Sequence, residues 1–294
     1  MADWLGDQAA GLRKLVARDR TRSICFNGGR GGTGTTSAVI NLAHALSNLG
    51  KRVLVLDEHV GQSNVAARLG LKLQTDLEQV LQHRLPLDKL LVNLPGGGEL
   101  IPMTARPETL ARLSAYEEDR LAFEFNHLTS TVDMILVDAR AAANNRTPSL
   151  NLAAEENVIV ISNRAESITD AYGMIKLLHR EYGQHSFRVL ITRVGSLQEA
   201  QALFRRIVEV AGKYIQVSLK LIGFVPEDER LARAVRLQQP VLSAFPDADS
   251  SCAYHQLAVA LDGWQSPVSL LTSPTSFVHR LIQSSRALSE GLQH

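Results

Sequence analysis

Six short apolar runs punctuate the chain: SICFN (23–27), RVLVLD (52–57), DMILVD (133–138), NVIVIS (157–162), FRVLIT (187–192) and LKLIGFV (219–225). Each is too short for a buried helix and apolar at nearly every position, the pattern of strands covered on both faces. Between them lie segments with apolar residues at three- and four-residue spacing that close on glycine, such as SAVINLAHALSNLG (37–50) and ITDAYGMIKLLHREYG (168–183); these read as helices. Strand and helix repeated in this way predict an α/β fold, a mostly parallel sheet with helices on both faces and right-handed crossovers. Ligands of such sheets sit beyond the carboxyl ends of the strands.

At 294 residues, 45% of them hydrophobic and 21% charged, the chain can bury one large core or two small ones. A formal charge of +1 argues against nucleic acid as the default partner. Two cysteines cannot build a disulfide framework, and Cys25 lies inside an apolar run as a buried thiol would, so a cytoplasmic setting is expected. The first residues lack the apolar core of a signal peptide, and no apolar stretch is long enough to span a bilayer. Three segments are expected: a polar, arginine-bearing helical stretch at 1–20, the α/β body at 21–265, and a tail at 266–294 that opens on Pro267 and Pro274 and ends in SFVHRLIQSSRALSEGL.

Residues 27–37 read NGGRGGTGTTS. From Gly29 to Thr36 they fit G-x-x-x-x-G-K-[ST] at every defined position except the lysine, whose place is taken by Thr35. The strand before and the helix after are the required context. Glycines let backbone N–H groups reach a phosphate, and the helix N-terminus adds partial positive charge. Gly29, Arg30, Gly31, Gly32, Thr33, Gly34, Thr35, Thr36 and Ser37 are therefore the candidate nucleotide-binding residues, set against a chance glycine cluster.

The loop resembles the deviant phosphate loop K-G-G-x-G-K-[ST] of the MinD/ParA ATPases. In that family the first lysine crosses a dimer interface to the partner's nucleotide; Arg30 stands there, still cationic and able to offer two donors. VLVLDEHVGQSNV (53–65) resembles the family's L-L-D-A-D-x-G-x-x-N-V: Asp57 is kept, but His59 replaces the aspartate that positions the attacking water. ILVD (135–138) keeps Asp138, which the resemblance assigns, with Thr36, to a magnesium shell if magnesium binds; no other metal is expected. The chain then continues ARAAANN where the family has T-A-A-G. Asn163 and Arg164, and Thr192 and Arg193, fall where relatives contact the base.

Phosphoryl transfer rests on positioning and on neutralising developing charge, and one well-placed cation is worth roughly three to five powers of ten in rate. With Thr35 and His59 at the two key positions, the expectation is a vestigial site with no catalytic residue and no required cofactor. Weak binding of ATP or ADP with magnesium, and a slow or active ATPase, are the alternatives.

Three further strings narrow the resemblance to the FlhG/FleN family of flagellar-number regulators: DQAAGLR (7–13), ESITDAYGMIKLL (166–178) and GFVPEDERLARAVRLQQPVLSAFP (223–246). The resemblance implies that the first docks as a helix on an FlhF-type signal-recognition GTPase and stimulates it, with Asp7, Gln8, Leu12 and Arg13 as contact residues. Asp7 can cap the helix, Leu12 can anchor it, and Gln8 and Arg13 can reach a partner's site. The competing reading is a capped surface helix packed on its own core. Flagellar switch components or a flagellar transcriptional activator are further implied partners. A mainly monomeric state is expected where no nucleotide holds two subunits together. A ParA-like DNA-segregation role is the remaining alternative.

Phe277 and Leu281 on the last helix resemble the family's amphipathic membrane-targeting element, which implies peripheral contact at the inner membrane or cell pole. Docking of that helix on the protein's own core would produce the same stripe. His59, His179, His185 and His279 show no metal-ligand spacing.

Overall fold

The computed structural model describes residues 21–29, 31–59, 64–103, 107–140, 149–264 and 274–290. The six apolar runs are strands β1 (Arg22–Gly28), β2 (Val53–Asp57), β5 (Met134–Ala139), β6 (Glu156–Ser162), β7 (Ser186–Val194) and β8 (Ser218–Pro226). Two more, β3 (Val92–Asn93) and β4 (Glu99–Pro102), extend one edge. The order across the sheet is β3-β4-β2-β5-β1-β6-β7-β8, parallel throughout except for β3 against β4.

The helices are α1 (Thr35–Asn48), α2 (Val65–Arg68), α3 (Leu77–Leu81), α4 (Pro107–Ala111), α5 (Ala115–Thr129), α6 (Ser149–Ala153), α7 (Ala165–Tyr182), α8 (Leu197–Tyr214), α9 (Glu229–Arg236), α10 (Val241–Ala244), α11 (Asp249–Asp262) and α12 (Pro274–Glu290). Local signals set their ends. Ser114 and Glu117 form a reciprocal capping box on α5, Asp228 caps α9, and α7 stops at Gly183 with φ 66.

Side chains alternate between the faces of the sheet. Ile24, Phe26, Val55 and Leu136 pack with α1 and α11 on one side. Cys25, Leu54, Leu56 and Val137 face the other, where α5 and α12 cover them, and Ile159 and Ile161 join α7 and α8 in a second cluster. This two-sided burial is why the strand runs are almost continuously apolar. The parallel register also sets Asp57 directly beside Asp138 at the strand ends.

The last helix corrects one expectation. Phe277 and Leu281, expected to face a membrane, are each 2% exposed and packed into the core beneath the sheet. Phe277 stacks on Phe125 with ring centroids 5.3 Å apart, and Arg280 Nε donates to the Ala153 carbonyl at 2.8 Å. Buried Ser284 and Ser285 turn their hydroxyls onto the Leu281 carbonyl, which satisfies them within the helix. The apolar stripe is spent on the body of the protein, and no described helix is long and apolar enough to cross a membrane. The segment carrying Asp7, Gln8, Leu12 and Arg13 lies outside the described residues, as do Arg30 and most of ARAAANN.

A packed α12 predicts that Phe277→Ala costs about 3–5 kcal/mol of folding stability in urea denaturation, the usual cost of emptying a buried aromatic site. A lipid-facing phenylalanine would cost almost nothing in the same measurement.

Candidate functional site at the strand ends

The glycine loop leaves β1 and enters α1 through three left-handed glycines, Gly31 (φ 68), Gly32 (φ 76) and Gly34 (φ 89). Only glycine takes this sequence of angles without strain. Several of its polar groups are bonded within the protein. The Gly31 N–H donates to the Gly29 carbonyl at 2.7 Å, and the Thr192 hydroxyl donates to the Thr33 carbonyl at 2.6 Å. Thr35, where the family has lysine, is buried with its hydroxyl 2.9 Å from that of Thr33 and folded back under Gly28. Ser37 accepts from Arg68 at 3.3 Å. Of these contacts, the Gly31 N–H and the Thr35 and Ser37 hydroxyls are groups that a phosphate would have to draw away from their present partners.

Asp57 and Asp138 close the other side. Asp57 Oδ1 accepts from the His59 backbone N–H at 2.9 Å, and Asp57 Oδ2 from the Val65 N–H at 2.6 Å. His59 turns back over the pair, with Nδ1 3.1 Å from Asp57 Oδ1 and 3.3 Å from Asp138 Oδ2. The second approach is a charge contact short of full hydrogen-bond alignment, and the Thr36 hydroxyl also faces the fully buried Asp138 carboxylate without full alignment. Burial opposes a charge on His59, but the Asp138 and Asp57 carboxylates outweigh it and raise the imidazole pKa to about 10. Burial, reinforced by Asp57, pushes the Asp138 carboxyl up, while His59 and Thr36 oppose that shift. Next door, burial raises Glu58 to about 7, although it accepts from the Arg140 and Leu150 N–H groups.

The structure places Gly29 and Gly31 to Ser37 at the end of β1 and the start of α1, with Asp57 and Asp138 at the ends of the neighbouring strands β2 and β5. Two contacts were not legible. The Arg164 guanidinium lies over the loop: a β-carbon placed on Gly32 would be 2.7 Å from its Nη1. Asp170, from the string ESITDAYG, abuts Gly29 in the same way, at 2.6 Å. Beside α1, a cavity of about 240 Å³ is lined by Gly34, Ser37, Arg193, Asp228 and Tyr254. Thr192 also reaches it, but its hydroxyl is committed to the loop, and Asn163 is bonded to Glu199.

The folded state holds the His59 proton more tightly than the unfolded chain does, so its contribution to stability is complete below about pH 6.5 and is lost as pH climbs through about 10. The stability difference between the wild type and His59→Asn, from urea denaturation across pH 6 to 10, is expected to shrink steadily with rising pH. A difference independent of pH would remove the imidazolium from this account.

Residues 24–241 match the family described as CobQ/CobB/MinD/ParA nucleotide binding domain. The antiactivator FleN of Pseudomonas aeruginosa is 35% identical over 272 residues, which is 92% of this chain and 97% of that protein. The flagellum site-determining protein YlxH of Helicobacter pylori is 26% identical over 242 residues, 82% of each chain. Among solved structures, the MinD cell division protein of Aquifex aeolicus superposes with a TM-score of 0.64 at 25% identity, covering 84% of this chain and 99% of that one. With the fold, the strand-end carboxylates and the glycine loop in place, the chain belongs to the MinD/ParA nucleotide-binding-domain family, on the branch that holds FleN and FlhG.

Proposed function

We propose that this protein regulates flagellum number or placement as a partner-binding member of the family, working without an ATP-driven dimer switch. The observation that carries this reading is the His59 side chain seated between Asp57 and Asp138. A magnesium shell needs those carboxylate oxygens, and the side chain that meets them here is itself cationic. Thr35 adds to the defect, because its hydroxyl supplies no charge and is already engaged by Thr33. The likeness to FleN and YlxH supports the flagellar setting. The DQAAGLR string supports an FlhF-type GTPase as the partner, with Asp7, Gln8, Leu12 and Arg13 forming the contact. Flagellar switch components or a transcriptional activator are further partners. The protein works mainly as a cytoplasmic monomer; contact with the inner membrane or cell pole, where it occurs, runs through surfaces other than the buried stripe of α12.

A second reading, weak nucleotide binding without useful turnover, is favoured by Arg164. Its guanidinium over Gly32 makes no ion pair among the described residues and offers a replacement for the missing ammonium.

Calorimetry separates the two. The wild type is expected to take up Mg·ATP no tighter than millimolar, whereas Thr35→Lys combined with His59→Asp gains at least tenfold. Micromolar binding by the wild type, lost in Arg164→Ala, would establish the second reading. Separately, a peptide of residues 1–20 is expected to accelerate GTP hydrolysis by the matching GTPase, and Gln8→Ala and Arg13→Ala to reduce that acceleration at least tenfold. Equal rates with and without the peptide would defeat the GTPase role.

A further inference from the structure

Three side chains at the strand ends have the composition of a metal site that a MinD-like phosphate loop does not call for. Asp57, His59 and Asp138 each present one ligand atom, and the three atoms lie within 4.8 Å of one another. The two nitrogen–oxygen separations, 3.1 and 3.3 Å, are the informative ones. With metal–ligand bonds of about 2.0–2.2 Å, neighbouring ligand atoms around one ion stand about 3.0 Å apart in an octahedron and about 3.4 Å apart in a tetrahedron. The imidazole nitrogen already stands at that spacing from both carboxylates.

A second observation points to a ligand independently. Asp138 is fully buried, and its oxygens meet the His59 ring and the Thr36 hydroxyl without reaching full hydrogen-bond geometry with either. Buried carboxylates ordinarily take several aligned donors or a metal ion. Asp57 is better supported: the His59 and Val65 N–H groups fix its orientation while leaving lone pairs toward the shared point. Asp57 and Asp138 are held at one level by paired strands, so the donor set is largely preformed. His59 keeps 17% of its side chain exposed, which gives the point an edge open to solvent.

We propose that Asp57, His59 and Asp138 bind a divalent transition-metal ion of the zinc or cobalt type, without nucleotide. The nitrogen ligand sets the class. Magnesium prefers an all-oxygen shell completed by substrate phosphates, whereas imidazole with carboxylate suits borderline ions. The proton on His59 and the ion are alternative occupants of one point, and the ion brings one more positive charge to the two carboxylates. The site goes beyond the regulatory role proposed above and does not depend on it.

The test uses the full chain, stripped with chelator and free of nucleotide, titrated with Co²⁺ and with Zn²⁺. One equivalent is expected to bind at micromolar concentration, Co²⁺ with visible d–d absorption, and Mg²⁺ is not expected to compete. His59→Asn and Asp138→Asn are each expected to weaken Zn²⁺ at least tenfold. His59→Asp is expected to lose the preference for Zn²⁺ over Mg²⁺. Should a variant fail to fold, anomalous diffraction at the zinc edge from soaked wild-type crystals decides: a peak between Asp57, His59 and Asp138 supports the site, and its absence there overturns it. No uptake by the wild type, uptake unchanged in folded variants, or equal competition by Mg²⁺ each overturns it too. None of these readouts involves ATP or the GTPase, so failure here leaves the regulatory reading to its own tests.

Discussion

The pairing of β2 with β5 creates the constraint on which this site depends. It sets Asp57 opposite Asp138 on one face of the sheet, both essentially buried. Two unit charges 4 Å apart interact by roughly 4 kcal/mol at an effective dielectric of 20. Two ionised carboxylates there are tolerable only with a cation between them or a proton on one. His59 lies two residues past Asp57, and its backbone N–H binds the same carboxylate that its ring faces. The short turn after β2 therefore delivers a positive group to the point where the strands have gathered negative charge.

The glycine loop obeys a different logic. Gly31, Gly32 and Gly34 are demanded by the left-handed path from β1 into α1, and that demand stands whether or not a phosphate is held. Once the path is fixed, its side chains and carbonyls can still take partners within the protein. Thr192 and Thr33 draw contacts inward, and Thr35 completes them. A chain can thus carry the spacing of a phosphate loop with side chains that tie the loop to itself.

This explains what could be read from the sequence. The six long strands were visible because two-sided burial leaves them apolar at almost every position. β3 and β4 were not, since a two-residue strand and the four residues ELIP carry no periodicity. Asp57, Asp138 and the loop were found by motif. The meeting of His59 with Asp138 was hidden, because ligand spacing along a chain cannot show a contact made through strand pairing. Arg164 was read as falling where relatives contact the base; that its guanidinium also reaches Gly32 was not legible, because the contact is made across the strand ends. The apolar face of α12 was seen correctly, but periodicity alone cannot say whether such a face meets lipid or protein. Phe125 and the buried Ala153 decide it, and both lie more than a hundred residues away in sequence.

Set beside the family pattern, the two exchanged positions move charge in a consistent direction. Lysine to Thr35 removes a cation from the side of the loop that would face phosphate. Aspartate to His59 removes an anion from the carboxylate side and puts a cation in its place. The first change alone would leave two buried carboxylates and a third nearby with no positive group from the loop; the second alone would crowd two cations around a site still shaped for magnesium. Made together, they transfer positive charge from where a nucleotide would need it to where the folded protein needs it. The cationic group that faces the two strand-end carboxylates is thus carried by the chain itself, two residues beyond Asp57.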